Sequence, residues 1–252
     1  MESRAIDVRA ADGVADAYLT RPDDRRRHPG VLFMIDAHGL RPRIEEMADR
    51  IAAAGYVVLA PNLFYRAGRA PVVSLPDETD PDNRAAVMQS IRPLLADLTP
   101  ERIERDGGAY LDNLEQMATS PFAITGYCMG ARHGWRIAAA HPDRVAALGG
   151  FHGGRFVTDA PDSPHLSAKR LRAELYFGHA DQDGSNTREQ IATLEAALDA
   201  AGVDYRSEVY KGALHGYTMS DTAAYDEAAS ERHFNELFAL LERTLDRTDL
   251  ES

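Results

Sequence analysis

The sequence predicts an α/β protein: a mostly parallel central sheet, helices on both of its faces and an N-terminal β-hairpin. Short uninterrupted apolar runs, such as 30–35, are typical of strands buried on both faces. These runs alternate with segments whose apolar residues recur at helical spacing, as parallel strands joined by crossover helices require. Neither a linker nor an internal repeat divides the 252 residues, so we expect a single domain over 1–252.

The N-terminal third begins with two alternating stretches, 4–10 and 14–20, separated by Ala11-Asp12-Gly13. Asp-Gly between such stretches predicts a β-hairpin. The apolar run 30–35 is then followed by a helical pattern over 44–54 that stops at Gly55. A second buried strand follows at 56–60.

The rest of the chain continues the alternation after a segment rich in Pro, Gly and Arg. That segment, 62–82, lacks periodicity and is predicted to be a loop-rich insertion, which in a compact domain tends to be functional or mobile. The pair Gly107-Gly108 is unfavourable inside the second of the helices that follow. We predict strands at 122–125, 145–151, 174–177 and 205–210, and helices at 84–97, 100–117, 131–140, 188–201 and 226–245.

The composition of the chain argues against several classes of function. Lys and Arg number 28 against 40 Asp and Glu, a net charge of −12 that disfavours nucleic acid and anionic membranes as partners. The single cysteine precludes an intramolecular disulfide and a cysteine-rich zinc site. The start of the chain lacks the apolar core of a signal peptide, and no apolar run approaches the roughly 20 residues of a membrane span. The expected setting is the cytoplasm.

A catalytic nucleophile is indicated by the segment Gly126-Tyr127-Cys128-Met129-Gly130, where a predicted strand turns into a helix. This is the nucleophile elbow of the α/β-hydrolase fold with Cys in place of Ser. The helix N-terminus favours a thiolate and a developing oxyanion. A lone cytosolic cysteine is more commonly a small buried hydrophobe; the strand before Cys128 and the helix after it favour the nucleophile.

The fold's chain order of nucleophile, acid and histidine selects two further residues. Asp181 follows strand 174–177 and His215 follows strand 205–210, both at carboxyl ends, where ligands bind in such sheets. We predict that His215 is the base and that Asp181 orients it; His152 is the rival histidine and Asp183 the rival acid. No metal or cofactor is expected, because a Cys–His–Asp set needs none and no helical H-x-x-x-H pairing occurs.

With these residues in place, the chain resembles the dienelactone hydrolase family over nearly all of its length. The similarity lies in segments 34–40, 54–63, 126–130 and 214–217. It implies thiolate attack on a small ester or lactone, an acyl-enzyme on Cys128 and an oxyanion hole from the amides of Ala37 and Met129. The alternative is a non-catalytic member that keeps the pocket for binding a small molecule.

Three differences from the family's pattern bear on substrate and reactivity. Asp36 stands where the dienelactone-cleaving members have a glutamate that contacts the resting cysteine, so we predict that it faces Cys128 and modulates the thiol, or else only braces its loop. Met219 replaces an arginine that binds the substrate carboxylate, so we expect neutral substrates to compete well with acidic ones. Asn62 replaces the usual Asp. Tyr217 belongs to the histidine loop and is a candidate for contact with substrate.

Overall fold

The computed structural model describes residues 1–24, 26–72, 80 and 83–245. One eight-stranded sheet runs through them in the order β1-β2-β4-β3-β5-β6-β7-β8. β1 pairs antiparallel with β2 and β2 pairs antiparallel with β4, while every later pairing is parallel. The strands are β1 Glu2–Ala10, β2 Gly13–Arg21, β3 Pro29–Met34, β4 Val57–Pro61, β5 Thr119–Tyr127, β6 Val145–Phe151, β7 Glu174–Ala180 and β8 Tyr205–Tyr210.

Helices cover both faces of this sheet. Neighbouring residues of a strand point to opposite faces. A Cβ at Gly149 would contact Leu237, whereas a Cβ at Gly150 would contact Ala131. The helices that carry Leu237 and Ala131 therefore lie on opposite sides of β6. The helices are α1 Pro42–Ala53, α2 Arg84–Asp97, α3 Pro100–Met117, α4 Met129–Ala140, α5 Arg188–Ala201 and α6 Glu227–Thr244, with a 3₁₀ helix at Pro164–Arg170.

The predicted architecture is confirmed, including the hairpin and the parallel strands that follow it. The Gly107-Gly108 pair does not interrupt α3. A Cβ at Gly107 would come within 2.5 Å of Ile137 Cγ1, so the glycine allows α3 and α4 to pack closely. The 3₁₀ helix was not predicted. Of the predicted insertion 62–82, residues 73–79, 81 and 82 lie outside the described residues.

The described helices include none that is long and apolar enough to cross a membrane.

Candidate active site

Cys128 occupies a sharp turn between β5 and α4. Its backbone has φ 53° and ψ −119°, a left-handed φ that non-glycine residues rarely adopt and that is a form of strain typical of functional positions. The turn is anchored because the amide of Cys128 donates to the carbonyl of Phe151 at 3.1 Å. The predicted elbow is therefore present, with the side chain only partly buried.

The two flanking glycines are required by close backbone contacts. A Cβ at Gly126 would lie 2.5 Å from the carbonyl oxygen of Gly130, and a Cβ at Gly130 would overlap the carbonyl oxygens of Met34 and Ile35. This second contact places the first turn of α4 directly against the end of β3. Any side chain at either position would push the elbow away from the sheet.

We therefore expect Gly130→Ala to destabilise the protein, because the atoms in the way are backbone and cannot rotate aside. The free energy of unfolding, measured by chemical denaturation, should fall by about 1–3 kcal/mol. Gly184→Ala is the matched control, since no atom lies within 4 Å of a Cβ there. Equal stability of the two variants would contradict the tight contact.

A chain of hydrogen bonds joins the cysteine to a histidine and an acid. His215 Nε2 lies 3.1 Å from Cys128 Sγ, and His215 Nδ1 lies 2.6 Å from Asp183 Oδ2. The other oxygen of Asp183 accepts from the amide of Ser185 at 2.8 Å and from its hydroxyl at 2.7 Å. The structure thus brings the predicted Cys128 and His215 together. The acid beside them, Asp183, is held by hydrogen bonds at both of its carboxylate oxygens.

The prediction of Asp181 as the orienting acid is wrong in this geometry. Asp181 Oδ2 accepts from the amide of Gly212 at 3.0 Å, and Oδ1 accepts from Arg188 at 2.7 Å. Its carboxylate therefore braces the end of β7 against the turn after β8 and does not reach His215. Asp183, the rival acid, takes that place, with a side chain only 6% exposed.

Cys128 and His215 stabilise each other's charged forms, and the carboxylate of Asp183 also stabilises the charge on His215. Burial raises the pKa of the Cys128 thiol, but the charge and hydrogen bond of His215 outweigh it and hold the pKa below its usual value. Burial likewise opposes the charged form of His215, yet Cys128 and Asp183 raise its pKa. Burial raises the pKa of Asp183, and its bonds to His215 and Ser185 bring it down to about 2. The arrangement favours a thiolate beside an imidazolium.

The rival histidine, His152, lies behind His215, and it is His215 whose ring nitrogen faces the sulfur. Its ring packs edge-on against the His215 ring at 5.4 Å between centroids, and its Nε2 lies 2.8 Å from the hydroxyl of Thr218. Burial holds the pKa of His152 well below its usual value, so the ring is neutral. His152 is thus a buried support for the ring of His215.

Asp36 lies at the carboxyl end of β3, as predicted, but its oxygens bind an arginine instead of the sulfur. Arg41 donates to Asp36 Oδ1 at 2.6 Å and to Oδ2 at 3.1 Å, and its Nε donates to Asp221 at 2.5 Å. The amide of His38 also donates to Asp36 at 3.2 Å. The Asp36 side chain is 4% exposed and that of Arg41 is 13% exposed.

This clamp of Asp36, Arg41 and Asp221 ties the loop after β3 to the loop that follows His215. Burial alone would raise the pKa of Asp36, but the charges of Arg41 and His38 hold it well below its usual range. Asp36 is therefore an anion whose field still raises the pKa of Cys128. The carboxylate of Asp36 therefore affects the Cys128 thiol through its charge and not through a hydrogen bond to the sulfur.

We expect Asp36→Asn to destabilise the protein by about 3 kcal/mol, because it leaves a buried guanidinium with only the half-exposed Asp221. The alkylation profile of Cys128 should also shift to lower pH, since a charge that opposes the thiolate is lost. Denaturation and the pH dependence of iodoacetamide modification measure the two effects. Asp221→Asn is the control, with a smaller expected loss because its side chain is 39% exposed. If the pH dependence of Cys128 alkylation does not shift, Asp36 only stabilises its loop and does not modulate the thiol.

The predicted oxyanion residues lie on the two segments that Gly130 brings together. Ala37 follows β3, and Met129 is the first residue of α4, where the amide has no acceptor inside its helix. Both residues are buried, at 8% and 1% exposed. Amides at these positions are suited to bind an oxygen that becomes negative beside Cys128.

Tyr217 and Met219 are not at a surface that a substrate could touch. Tyr217 is fully buried, its hydroxyl donates to the carbonyl of Gly178 at 3.0 Å, and its ring packs on His152. Met219 is 1% exposed. The prediction of substrate contact at these two positions is wrong, because both side chains belong to the core behind the histidine loop.

Sequence reasoning did not identify Arg41 as a part of this region. A buried Asp36 requires a cation, and Arg41 five residues later was the available signal. Within the described ranges, no group of three or more His, Cys, Asp or Glu is arranged to hold a metal ion.

Comparison with known proteins finds similarity to dienelactone hydrolases in both sequence and structure. The model of the dienelactone hydrolase family matches residues 15–245. A provisionally named carboxymethylenebutenolidase of Yersinia pestis is 29% identical over 222 residues, covering 85% of this chain and 78% of its own. The carboxymethylenebutenolidase of Rhodococcus opacus is 27% identical over 217 residues, covering 86% and 81%. The crystal structure of a provisionally named dienelactone hydrolase of Klebsiella pneumoniae superposes with a TM-score of 0.84 at 20% identity, covering 96% of this chain and 98% of that one.

Proposed function

The chain belongs to the dienelactone hydrolase family, and on that basis we propose that it hydrolyses a small ester or lactone through an acyl-enzyme on Cys128. The names of its relatives support a hydrolase of the lactone and ester type. The observation that carries the mechanism is His215, which lies 3.1 Å from the sulfur of Cys128 and 2.6 Å from Asp183.

In the first half-reaction the thiolate of Cys128 attacks the substrate carbonyl carbon, and the carbonyl π electrons move onto oxygen. The amides of Ala37 and Met129 donate to that oxyanion, which is stronger as an acceptor than the ground-state carbonyl. The intermediate collapses, the C–O bond to the alcohol breaks, and the imidazolium of His215 gives the leaving oxygen its proton. With a lactone, the alcohol stays attached to the acyl group.

In the second half-reaction His215, now neutral, takes a proton from water as the water attacks the thioester. The second tetrahedral intermediate collapses to release the carboxylic acid product. The sulfur leaves as the thiolate, and His215 is again the imidazolium that stabilises it. Asp183 keeps the Nδ1 proton of His215 in place throughout, so that Nε2 faces the sulfur and the water.

Inactivation by iodoacetamide tests the assignment of the nucleophile. The chain has one cysteine, so modification should stop at one adduct per chain. We expect hydrolysis of a 4-nitrophenyl ester to fall in proportion to that adduct, and saturating substrate to slow its formation. Full activity of the completely alkylated protein would overturn the proposal.

A further inference from the structure

His152, which takes no part in the proposed bond-making steps, occupies an unfavourable position directly behind His215. It follows β6, and its backbone has a φ of 38°, a left-handed value that non-glycine residues rarely adopt. Its side chain is fully buried, yet no residue in the described part of the chain hydrogen-bonds its Nδ1. A phenylalanine would fill this space without burying an unpaired nitrogen. Strain and an unsatisfied polar atom at one residue beside a reacting group point to a functional role.

Three contacts hold the ring of His152 against the loop that carries His215. The ring packs edge-on against His215 at 5.4 Å between centroids and against Tyr217 at 5.0 Å. Its Nε2 lies 2.8 Å from the hydroxyl of Thr218. Thr218 is fixed in turn, because Arg43 of α1 donates to its carbonyl from Nε at 3.2 Å and from Nη2 at 2.7 Å. The ring behind His215 is therefore anchored, through Thr218, to a helix.

The ring of His215 has one motion that its hydrogen bonds restrain least. Nδ1 is bonded to Asp183 and Nε2 to Cys128, so the ring is held at its two nitrogens. Rotation about the line through these nitrogens tilts both bonds without lengthening either one much. The His215 side chain is 25% exposed, so water faces one part of the ring while His152 packs against another. His152 is thus placed to oppose this rotation.

The charge state of His152 suits a place beside an imidazolium. Burial lowers its pKa, and the charges of His215 and His233 lower it further. The carboxylates of Asp36 and Asp183 oppose these effects, but the pKa remains well below its usual value. A second cation here would repel the charged ring of His215. A neutral ring supports the orientation of His215 without opposing its charge.

We propose that His152 is a positioning residue for His215 and that it acts chiefly in deacylation, the second half-reaction of the proposed hydrolysis on which this inference rests. In the resting enzyme, the thiolate of Cys128 attracts the imidazolium at Nε2 and helps to hold the ring. In the acyl-enzyme the sulfur is part of a neutral thioester and His215 is neutral, so that attraction is gone. Asp183 and the packing of His152 then keep Nε2 aimed at the attacking water, whose proton it takes.

The test measures acylation and deacylation separately, in single turnovers with enzyme in excess over 4-nitrophenyl acetate. Release of 4-nitrophenolate gives the rate of acylation, and rapid quenching with mass spectrometry gives the decay of the acetyl group on Cys128. His152→Asn removes the ring but keeps a residue that tolerates a left-handed backbone. We expect this variant to slow deacylation about ten- to a hundredfold, the effect of a misplaced catalytic group. Acylation should change much less, because 4-nitrophenolate leaves without needing a proton from His215.

His233→Asn is the matched control. His233 is also a fully buried histidine whose pKa burial lowers, to about 3, and its ring packs on Tyr127 as that of His152 does. Its Nδ1 donates to the carbonyl of Ser230, and its Nε2 bonds the hydroxyl of Tyr127. The ratio of acylation to deacylation should therefore stay at its wild-type value in His233→Asn.

Thr218→Val is a second variant, which keeps the ring of His152 and removes the hydroxyl that bonds its Nε2. It should raise the ratio of acylation to deacylation in the same direction as His152→Asn, by a smaller factor. If His152→Asn does not fold, Thr218→Val decides, and a wild-type ratio in that variant overturns the inference.

An unchanged ratio in folded His152→Asn would show that His152 only fills the core, and the hydrolase proposal would stand. An equal slowing of both steps, or the same change in His233→Asn, would also contradict the inference, because a general loss of structure is not selective for one step. If wild type never carries an acetyl group on Cys128, both proposals fail.

Discussion

Cys128→Ala should abolish ester and lactone hydrolysis, with a loss in kcat of about 10⁵- to 10⁶-fold, as expected when the nucleophile of a catalytic set that acts as a unit is removed. The substitution deletes the sulfur that lies 3.1 Å from His215 and leaves no other thiol in the chain. Amides at Ala37 and Met129 would remain, so residual turnover should reflect oxyanion binding alone.

Stability is the control for this variant. Alanine carries the same Cβ as cysteine, so the left-handed φ of 53° at position 128 costs the same in both proteins. We therefore expect the unfolding free energy of Cys128→Ala to change little, while turnover disappears. Activity near the wild-type level in a folded Cys128→Ala protein would exclude covalent catalysis at this residue.

The second large effect is expected from Asp183→Asn. The amide cannot accept the Nδ1 proton of His215 as a carboxylate does, and its NH₂ group favours the wrong tautomer of the ring. The equivalent change in a serine protease costs about 10⁴-fold in kcat, and a loss of two to four orders of magnitude is expected here. Measuring kcat over a range of pH would show the loss at every pH at which wild type is active.

Asp181→Asn is the matched control, two residues away on the same loop. Its carboxylate binds Gly212 and Arg188 instead of His215, so the variant should lose some stability but keep most of its turnover. His215→Ala combined with Asp183→Asn should be little worse than His215→Ala alone, because the acid acts only through the histidine. A crippled Asp181→Asn beside a near-normal Asp183→Asn would reverse the assignment.

These two aspartates show where sequence reasoning stopped. The buried strand, the two glycines and the helix predict the elbow, because each is a local consequence of residue type. The acid depends on which way a loop side chain points, and that is decided by long-range partners. β7 also continues to Ala180, three residues beyond its predicted end. Asp181 is therefore the first residue after the strand, where it meets the amide of Gly212, and the turn that follows aims Asp183 at His215.

The ion pairs of Arg41 could not be predicted from the sequence either. The sequence predicts Asp36 beside the elbow, and the structure places it there. Its state depends on a guanidinium that also binds Asp221, 180 residues further along the chain. No pattern within one segment reports such a pairing.

Acid quenching of wild type during turnover, followed by mass spectrometry of its peptides, tests the central claim most directly. During hydrolysis of a 4-nitrophenyl ester, we expect the peptide that contains Cys128 to gain the mass of the acyl group, and hydroxylamine to remove it as it would any thioester. Asp183→Asn should still carry the adduct, formed and lost more slowly, and Cys128→Ala should carry none. Turnover by wild type without an acyl group on Cys128 at any time point, or with the acyl group on another residue, would contradict the account.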